Sequence, residues 1–217
     1  VITISSLVKA FIFDMDGVLT ETATCHYHSW QKLAAELNIE FSFRDNERML
    51  GLARPDSLKI FLRDKTVSKA EFQRLLRKKN EYYLELVADF SPANLLPGVA
   101  KILHTLKQTG YRLAVASSSR NTQFILKRLQ IAAFFEAVAD SNTVAHAKPA
   151  PDLFLKAAYL LGIPPEECVV VEDSAAGVTA GLTAGMTVVG VGREELVGKA
   201  HFRYDSMAEV DLAEILA

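Results

Sequence analysis

Only two cysteines occur among the 217 residues, Cys25 and Cys168, and they stand far apart. That rules out a dense disulfide framework and leaves no soft-metal ligand pattern. Cys168 opens an apolar run and reads as a buried thiol, so a reduced, cytoplasmic setting is the expectation. No signal peptide is legible at the start. No apolar run reaches the roughly 18 residues that a membrane-spanning helix needs. An excess of one charge is also missing. The chain carries 24 basic against 26 acidic residues, a formal net charge of −2, which gives neither nucleic acid nor a lipid surface as a partner. Internal repeats and low-complexity tracts are absent as well. Hydrophobic residues are plentiful at 50%. They suffice for one good-sized domain, or one domain carrying a smaller insertion.

The chain changes rhythm twice. Lys9-Ala-Phe-Ile-Phe13 reads as a strand. From about Thr24 to Asp89 the apolar residues follow a helical period instead. Trp30, Leu33, Ala34 and Leu37 form one stripe, Met49–Leu62 continues in the same style, and Phe72, Leu75, Leu76 and Tyr83 form another. Arg77, Lys78 and Lys79 read as the wet face of that last helix. After Pro92 and Pro97-Gly98 a strand–helix alternation begins. It predicts helices over Val99–Thr109, Thr122–Leu129, Asp152–Leu161 and Ala175–Ala184. Strands fall at Arg112–Ala116, near Ala137–Ala139, at Val169–Val171 and at Thr187–Val191. The Val169–Val171 run suits a strand buried on both faces. This pattern predicts an α/β fold, with a doubly wound parallel sheet from residues 1–20 and 92–217. Residues 21–91 form an all-helical insertion, joined by two connections and therefore able to open and close.

Strand ends carry the chemistry. The first strand runs into Asp14-Met15-Asp16, two carboxylates one residue apart, where alternation lets both acids share a face. Such a pair can hold a hard cation or divide the roles of nucleophile and general acid/base. A solvated turn or a helix N-cap is the plainer reading of the pair alone. The second strand ends in Ser117-Ser118-Ser119-Arg120-Asn121 before a helix, a set of donors suited to phosphate, or simply a serine-rich cap. Lys148, fixed before Pro149, offers a cation, although a surface lysine is the usual fate of the type. Glu172-Asp173 end the buried valine strand, with Ser174 as an N-cap. Asp14, Glu172 and Asp173 with a phosphoryl group leave an excess of about four negative charges beside Lys148. Mg²⁺, which selects oxygen ligands, would halve that excess.

In this order the segments Phe13–Gly17, Ala116–Ser118, Lys148-Pro149 and Glu172-Asp173 resemble the four motifs of the haloacid dehalogenase superfamily. Asp16–Ala23, His26 with Trp30, Asn46-Glu47, Arg54 with Asp56–Leu58, Arg77–Asn80, Ser91–Ala93, Ser119–Asn121 and Lys148–Asp152 are similar to its β-phosphoglucomutase family. The similarity runs nearly end to end and weakens after about Gly198. It implies a Rossmann-like core with an inserted four-helix cap. It also implies a cytoplasmic, monomeric enzyme that interconverts β-glucose 1-phosphate and glucose 6-phosphate through a 1,6-bisphosphate. Asp14 would form an aspartyl phosphate, and Asp16 would act as general acid/base. Asp14, Asp16, Glu172 and Asp173 would hold Mg²⁺, and Ser117 and Lys148 the transferring phosphoryl. Gly51, Arg54, Ser57 and Lys79 from the insertion, with Ser119, Arg120 and Asn121, would contact the substrate. Thr22 and His26 would link closure of the insertion to Asp16.

To serve as an acid, Asp16 must hold a proton above the free value of about 3.9, which exclusion of water would favour. Two departures from the family pattern stand out. Leu50 precedes Gly51 where the family usually has lysine, which leaves open both the sugar and the balance between mutase and phosphatase. Arg120 replaces a frequent lysine, exchanging a point charge for a fork. The run Cys25-His26-Tyr27-His28 could suggest a soft-metal site, but neighbours on a helix diverge, and His26 reads instead as packing or hydrogen-bonding near the hinge of the insertion. A phosphatase of small sugar phosphates, or a silent sugar-phosphate binder, would share the same scaffold.

Overall fold

The computed structural model describes residues 8–49, 52, 54–63 and 65–217. Leu50 and Gly51, both singled out by the sequence, lie outside the described residues. By Cα proximity the chain divides into two compact units. One runs to Glu21 and resumes over Ser91–Ala217; the other is Thr22–Phe90. No helix among the described residues is long and apolar enough to cross a membrane.

The second unit is helical, with α1 (Ala23–Leu37), α2 (Phe43–Glu47), α3 (Arg54–Leu62) and α4 (Lys69–Val87). Its core gathers Trp30, Leu33, Ala34, Met49, Leu58, Phe61, Leu62 and Leu75, with Trp30 stacked on Phe61 at 5.0 Å between centroids. Each such side chain, once buried, contributes about 1.5–3 kcal/mol. Of the helical stretch expected over Met49–Leu62, the described residues are helical only from Arg54; Met49 lies in a turn and Leu52 in a bend. A separate short helix, α2, begins at a capping box in which Ser42 and Asp45 exchange hydrogen bonds, and α3 starts at Arg54. A second expectation also fails: Lys79 is not on a wet face but buried among the helices, 1% exposed.

The first unit is a six-stranded parallel sheet. β1 (Ala10–Phe13) pairs with β2 (Arg112–Ser117) on one side and β4 (Cys168–Glu172) on the other. β3 (Ala137–Asp140) lies outside β2; β5 (Thr187–Val191) and β6 (Phe202–Tyr204) lie beyond β4. The order β3-β2-β1-β4-β5-β6 is doubly wound. It places a crevice outside the carboxyl ends of the central strands, where the order reverses. The helices of this unit are α5 (Val99–Gln108), α6 (Thr122–Arg128), α7 (Asp152–Leu161), α8 (Ala175–Thr183), α9 (Glu194–Val197) and α10 (Leu212–Leu216). Residues of β1 and β4 are buried on both faces. One face packs Ile12, Ala114, Val170 and Val188 against Leu153, Phe154 and Ala157 of α7 and Val178 of α8. Gly162 stops α7 in the left-handed conformation at φ 65°, as a C-terminal glycine does. Cys168 is buried, and burial pushes its thiol up to about 12. Three elements near the C-terminus, α9, β6 and α10, had no counterpart in the sequence reading. They are only three to five residues long and carry no readable period.

Candidate active site

Register sets the site. Phe13 lies opposite Val171 across the β1–β4 pair, and the Asp14 amide donates to the Val171 carbonyl at 2.9 Å. Asp14 and Glu172 therefore leave the sheet side by side. Glu172 is buried to 1% exposure and Asp14 to 6%. Lys148, on the segment between β3 and α7, reaches both. Its ammonium donates to Asp14 Oδ1 at 2.5 Å, to Glu172 Oε1 at 2.6 Å and to the Ala116 carbonyl at 3.1 Å. The Lys148–Pro149 peptide is cis. The other Glu172 oxygen accepts from the Asp173 amide at 2.8 Å, the Ser174 amide at 2.8 Å and the Ser174 hydroxyl at 2.9 Å. Ser174 also caps α8 by accepting from the Gly177 amide.

Two glycines permit this density. Gly17 has φ +79°, and a Cβ there would enter the carboxylate of Asp173. The Asp14–Gly17 turn and the acidic end of β4 thus meet through a residue that only glycine fills without strain. A Cβ on Gly177 would run into the Glu172 carboxylate. The sequence reading attached no role to either glycine. A glycine in the first helical turn after a buried acid is the signal that was available.

The charges are unequal. Burial pushes the Asp14 carboxyl up to about 7, against the pull of the Lys148 ammonium and with Glu172 and Asp16 pushing the same way. Burial also raises Asp173 to about 9, reinforced by Glu172, Asp14 and Asp16. Burial alone would lower Lys148, but Asp14 and Glu172 hold it above the ordinary lysine value. One ammonium does not balance these carboxylates. Among the described residues no group of three or more His, Cys, Asp and Glu side chains is gathered as a finished metal site. The donor chemistry nevertheless suits a hard cation, since the groups are carboxylate oxygens with negative charge in excess.

Ser117 ends β2, buried, with its oxygen accepting from the Ser119 amide at 3.1 Å. The Ser119 hydroxyl accepts from the Asn121 amide at 3.1 Å, and Arg120 is exposed between them. These hydroxyls shape the turn before α6; the serine-rich cap expected from the sequence does not form, since the N-cap residue is Asn121 and makes no side-chain capping bond. The sheet unit thus brings together Asp14, Lys148, Glu172 and Asp173, with Gly17 closing on Asp173. It places Ser117 next to Ala116, whose carbonyl binds Lys148.

Thr22, His26, Arg54, Ser57 and Lys79 belong to the helical unit. Thr22 is buried ahead of α1, its carbonyl accepting from the His26 amide at 2.9 Å. Ser57 is buried on α3, and Arg54 is half-buried at its start. Lys79 Nζ lies 2.7 Å from His26 Nδ1 and over the rings of Trp30 (5.1 Å) and Tyr83 (4.8 Å). Burial first, then the charges of Lys79 and Arg54, hold His26 well below the ordinary histidine value. The imidazole is neutral at pH 7 and accepts at Nδ1, so its proton sits on Nε2.

A doubly wound sheet with carboxylates at the ends of two neighbouring strands and a lysine between them is the frame of a haloacid dehalogenase-like α/β enzyme. The chain belongs to the haloacid dehalogenase-like hydrolase family, which it matches over residues 8–185. It is 42% identical to the β-phosphoglucomutase of Bacillus subtilis (strain 168), across 85% of this chain and 84% of that protein. The crystal structure of β-phosphoglucomutase from Clostridium difficile superposes with a TM-score of 0.91 at 34% identity, covering 96% of this chain and 95% of the other. The chain is also 28% identical to the phosphorylated carbohydrates phosphatase of Thermotoga maritima, over 96% of each. Relatives of both kinds, mutase and phosphatase, therefore share this scaffold.

Proposed function

We propose that the protein is a Mg²⁺-dependent phosphosugar mutase, interconverting β-glucose 1-phosphate and glucose 6-phosphate through a bound 1,6-bisphosphate. The observation that carries the phosphoryl-transfer part of this reading is Asp14, a buried carboxylate held by Lys148, which the phosphatase reading would use as well. The identity to a mutase, higher than that to the phosphatase, adds to it. An Asp14 oxygen attacks phosphorus as the bond from phosphorus to the sugar oxygen breaks. Asp16 gives its proton to that departing oxygen. That attack acts on the bisphosphate; it follows a first half-reaction in which Asp16 takes the proton from the free hydroxyl of the sugar monophosphate and that oxygen receives the phosphoryl group from phosphorylated Asp14, forming the 1,6-bisphosphate. Lys148 and Ser117 hold the phosphoryl oxygens. Gly51, Arg54, Ser57 and Lys79, with Ser119, Arg120 and Asn121, hold the rest of the substrate. Thr22 and His26 tie the helical unit's movement to Asp16. Asp14, Asp16, Glu172 and Asp173 would hold the Mg²⁺, which supplies charge neutralisation for the phosphoryl group.

The second reading is a phosphatase of small sugar phosphates, favoured by the Thermotoga relative and by Leu50. The deciding assay supplies β-glucose 1-phosphate, Mg²⁺ and a trace of bisphosphate primer. Glucose 6-phosphate as the main product supports the mutase, and free phosphate without isomer supports the phosphatase. Stoichiometric binding with no turnover would leave a silent binder.

A further inference from the structure

The chain leaves the sheet unit after Glu21 and returns to it at Ser91. Thr20 stands where the two passages meet, completely buried. On one side its backbone bridges Asp16. The Gly17 amide donates to the Thr20 carbonyl at 2.8 Å, and the Thr20 amide donates to the Met15 carbonyl at 3.1 Å. On the other side Thr20 bridges Leu95 in the antiparallel sense, and the Leu96 amide donates to the Leu19 carbonyl at 3.0 Å. The Thr20 hydroxyl donates to the Asn94 carbonyl at 2.7 Å. Asn94 closes the 3₁₀ turn Pro92–Asn94, and its side-chain oxygen accepts from the Ser91 amide at 3.0 Å. One side chain thus fastens the turn that carries Asp16 to the end of the returning passage.

Valine has nearly the same shape as threonine and would fill a buried position at least as well. What the hydroxyl adds is the bond to Asn94, and without it the buried end of that tie between the two passages is gone. From this geometry we infer that Thr20 is a positioning residue for Asp16. It holds the acid–base carboxylate at a fixed angle to the sugar oxygen by anchoring its turn to the second passage. This rests on the acid–base role proposed above for Asp16. The bond does not touch substrate, so its loss acts on the rate of proton transfer rather than on binding.

The test compares full-length wild type, Thr20→Val and Thr20→Ser with β-glucose 1-phosphate, primer and Mg²⁺. Thr20→Val should lower kcat about tenfold with KM little changed, the scale of a slightly misplaced acid–base group. Thr20→Ser should recover most of the loss. Amide hydrogen exchange at Gly17, Thr20 and Leu96 should quicken in Thr20→Val and return in Thr20→Ser. An unchanged kcat in Thr20→Val overturns the inference, as does a serine variant no better than valine or a loss confined to KM. If wild type releases only free phosphate, the mutase reading fails. The same comparison then runs on phosphate release, where Asp16 has the same role, and the inference stands or falls on it separately.

Discussion

Each unit buries a lysine, and the two are accommodated in different ways. Lys148 in the sheet unit lies between Asp14 and Glu172, which raise its proton affinity. Lys79 in the helical unit lies over two aromatic rings with its ammonium on His26. Around Lys148 the carboxylates outnumber the cation, and Asp14 and Asp173 hold protons more tightly than usual. Around Lys79 the titratable neighbour is a base, and it gives its proton up. The same side chain leaves one region short of positive charge and the other rich in it. The first is the region proposed above to take a cation and a phosphoryl group. The second fixes an imidazole in one tautomer.

The largest break in this comparison is Asp14→Asn, which should reduce turnover by at least about 10³-fold by removing the nucleophile. Retained activity would end that role. The same variant should be more stable than wild type above about pH 7 without Mg²⁺, since a repelled carboxylate is gone.

Next comes pH. Asp14 at about 7 and Asp173 at about 9 stand above the unfolded carboxylate value. The folded state then binds more protons than the unfolded one, and metal-free stability should fall as pH rises from about 4 to about 9. His26 is lowered, so its contribution is present above its ordinary value of 6.5 and is lost as pH falls below it. Thermal melts should therefore show Mg²⁺ raising Tm more at pH 9 than at pH 5. Equal increments would count against metal binding at these carboxylates.

Gly177→Ala should cost about 1–3 kcal/mol in denaturant unfolding, because Glu172 is pinned by its donors and has nowhere to yield. Lys79→Met should let the His26 value rise, read by NMR titration of the ring. No movement would mean that burial and Arg54 set it without Lys79. The smallest effect is expected from Leu50→Lys, about a fivefold rise in glucose-phosphate turnover, the scale of one screened charge contact. A fall would assign residue 50 to another substrate.

Much of the sheet was readable because β1 and β4 are short, wholly apolar and end in acids, and because Gly110, Gly162 and Gly185 mark helix ends with positive φ. Asp14, Lys148, Glu172 and Asp173 were found as strand-end residues, but their bonding was not. Nothing in the order of residues says that Lys148 bridges positions 14 and 172, or that Glu172 gives one oxygen to three donors. Lys79 misled for a physical reason: a charged residue on an amphipathic helix is assigned to water unless a particular imidazole and two rings await it. The Thr20–Asn94 bond was invisible because it spans 74 positions.

The bridge between Thr20 and Leu95 has a modular consequence. Cutting out Thr22–Phe90 would leave two passages already tied together at Thr20, Asn94 and Leu95. The sheet unit could then be closed on itself, or given a different helical insert, without rebuilding its strands. On the function proposed above, exchange at that seam would change sugar selectivity while leaving Asp14, Lys148, Glu172 and Asp173 in place.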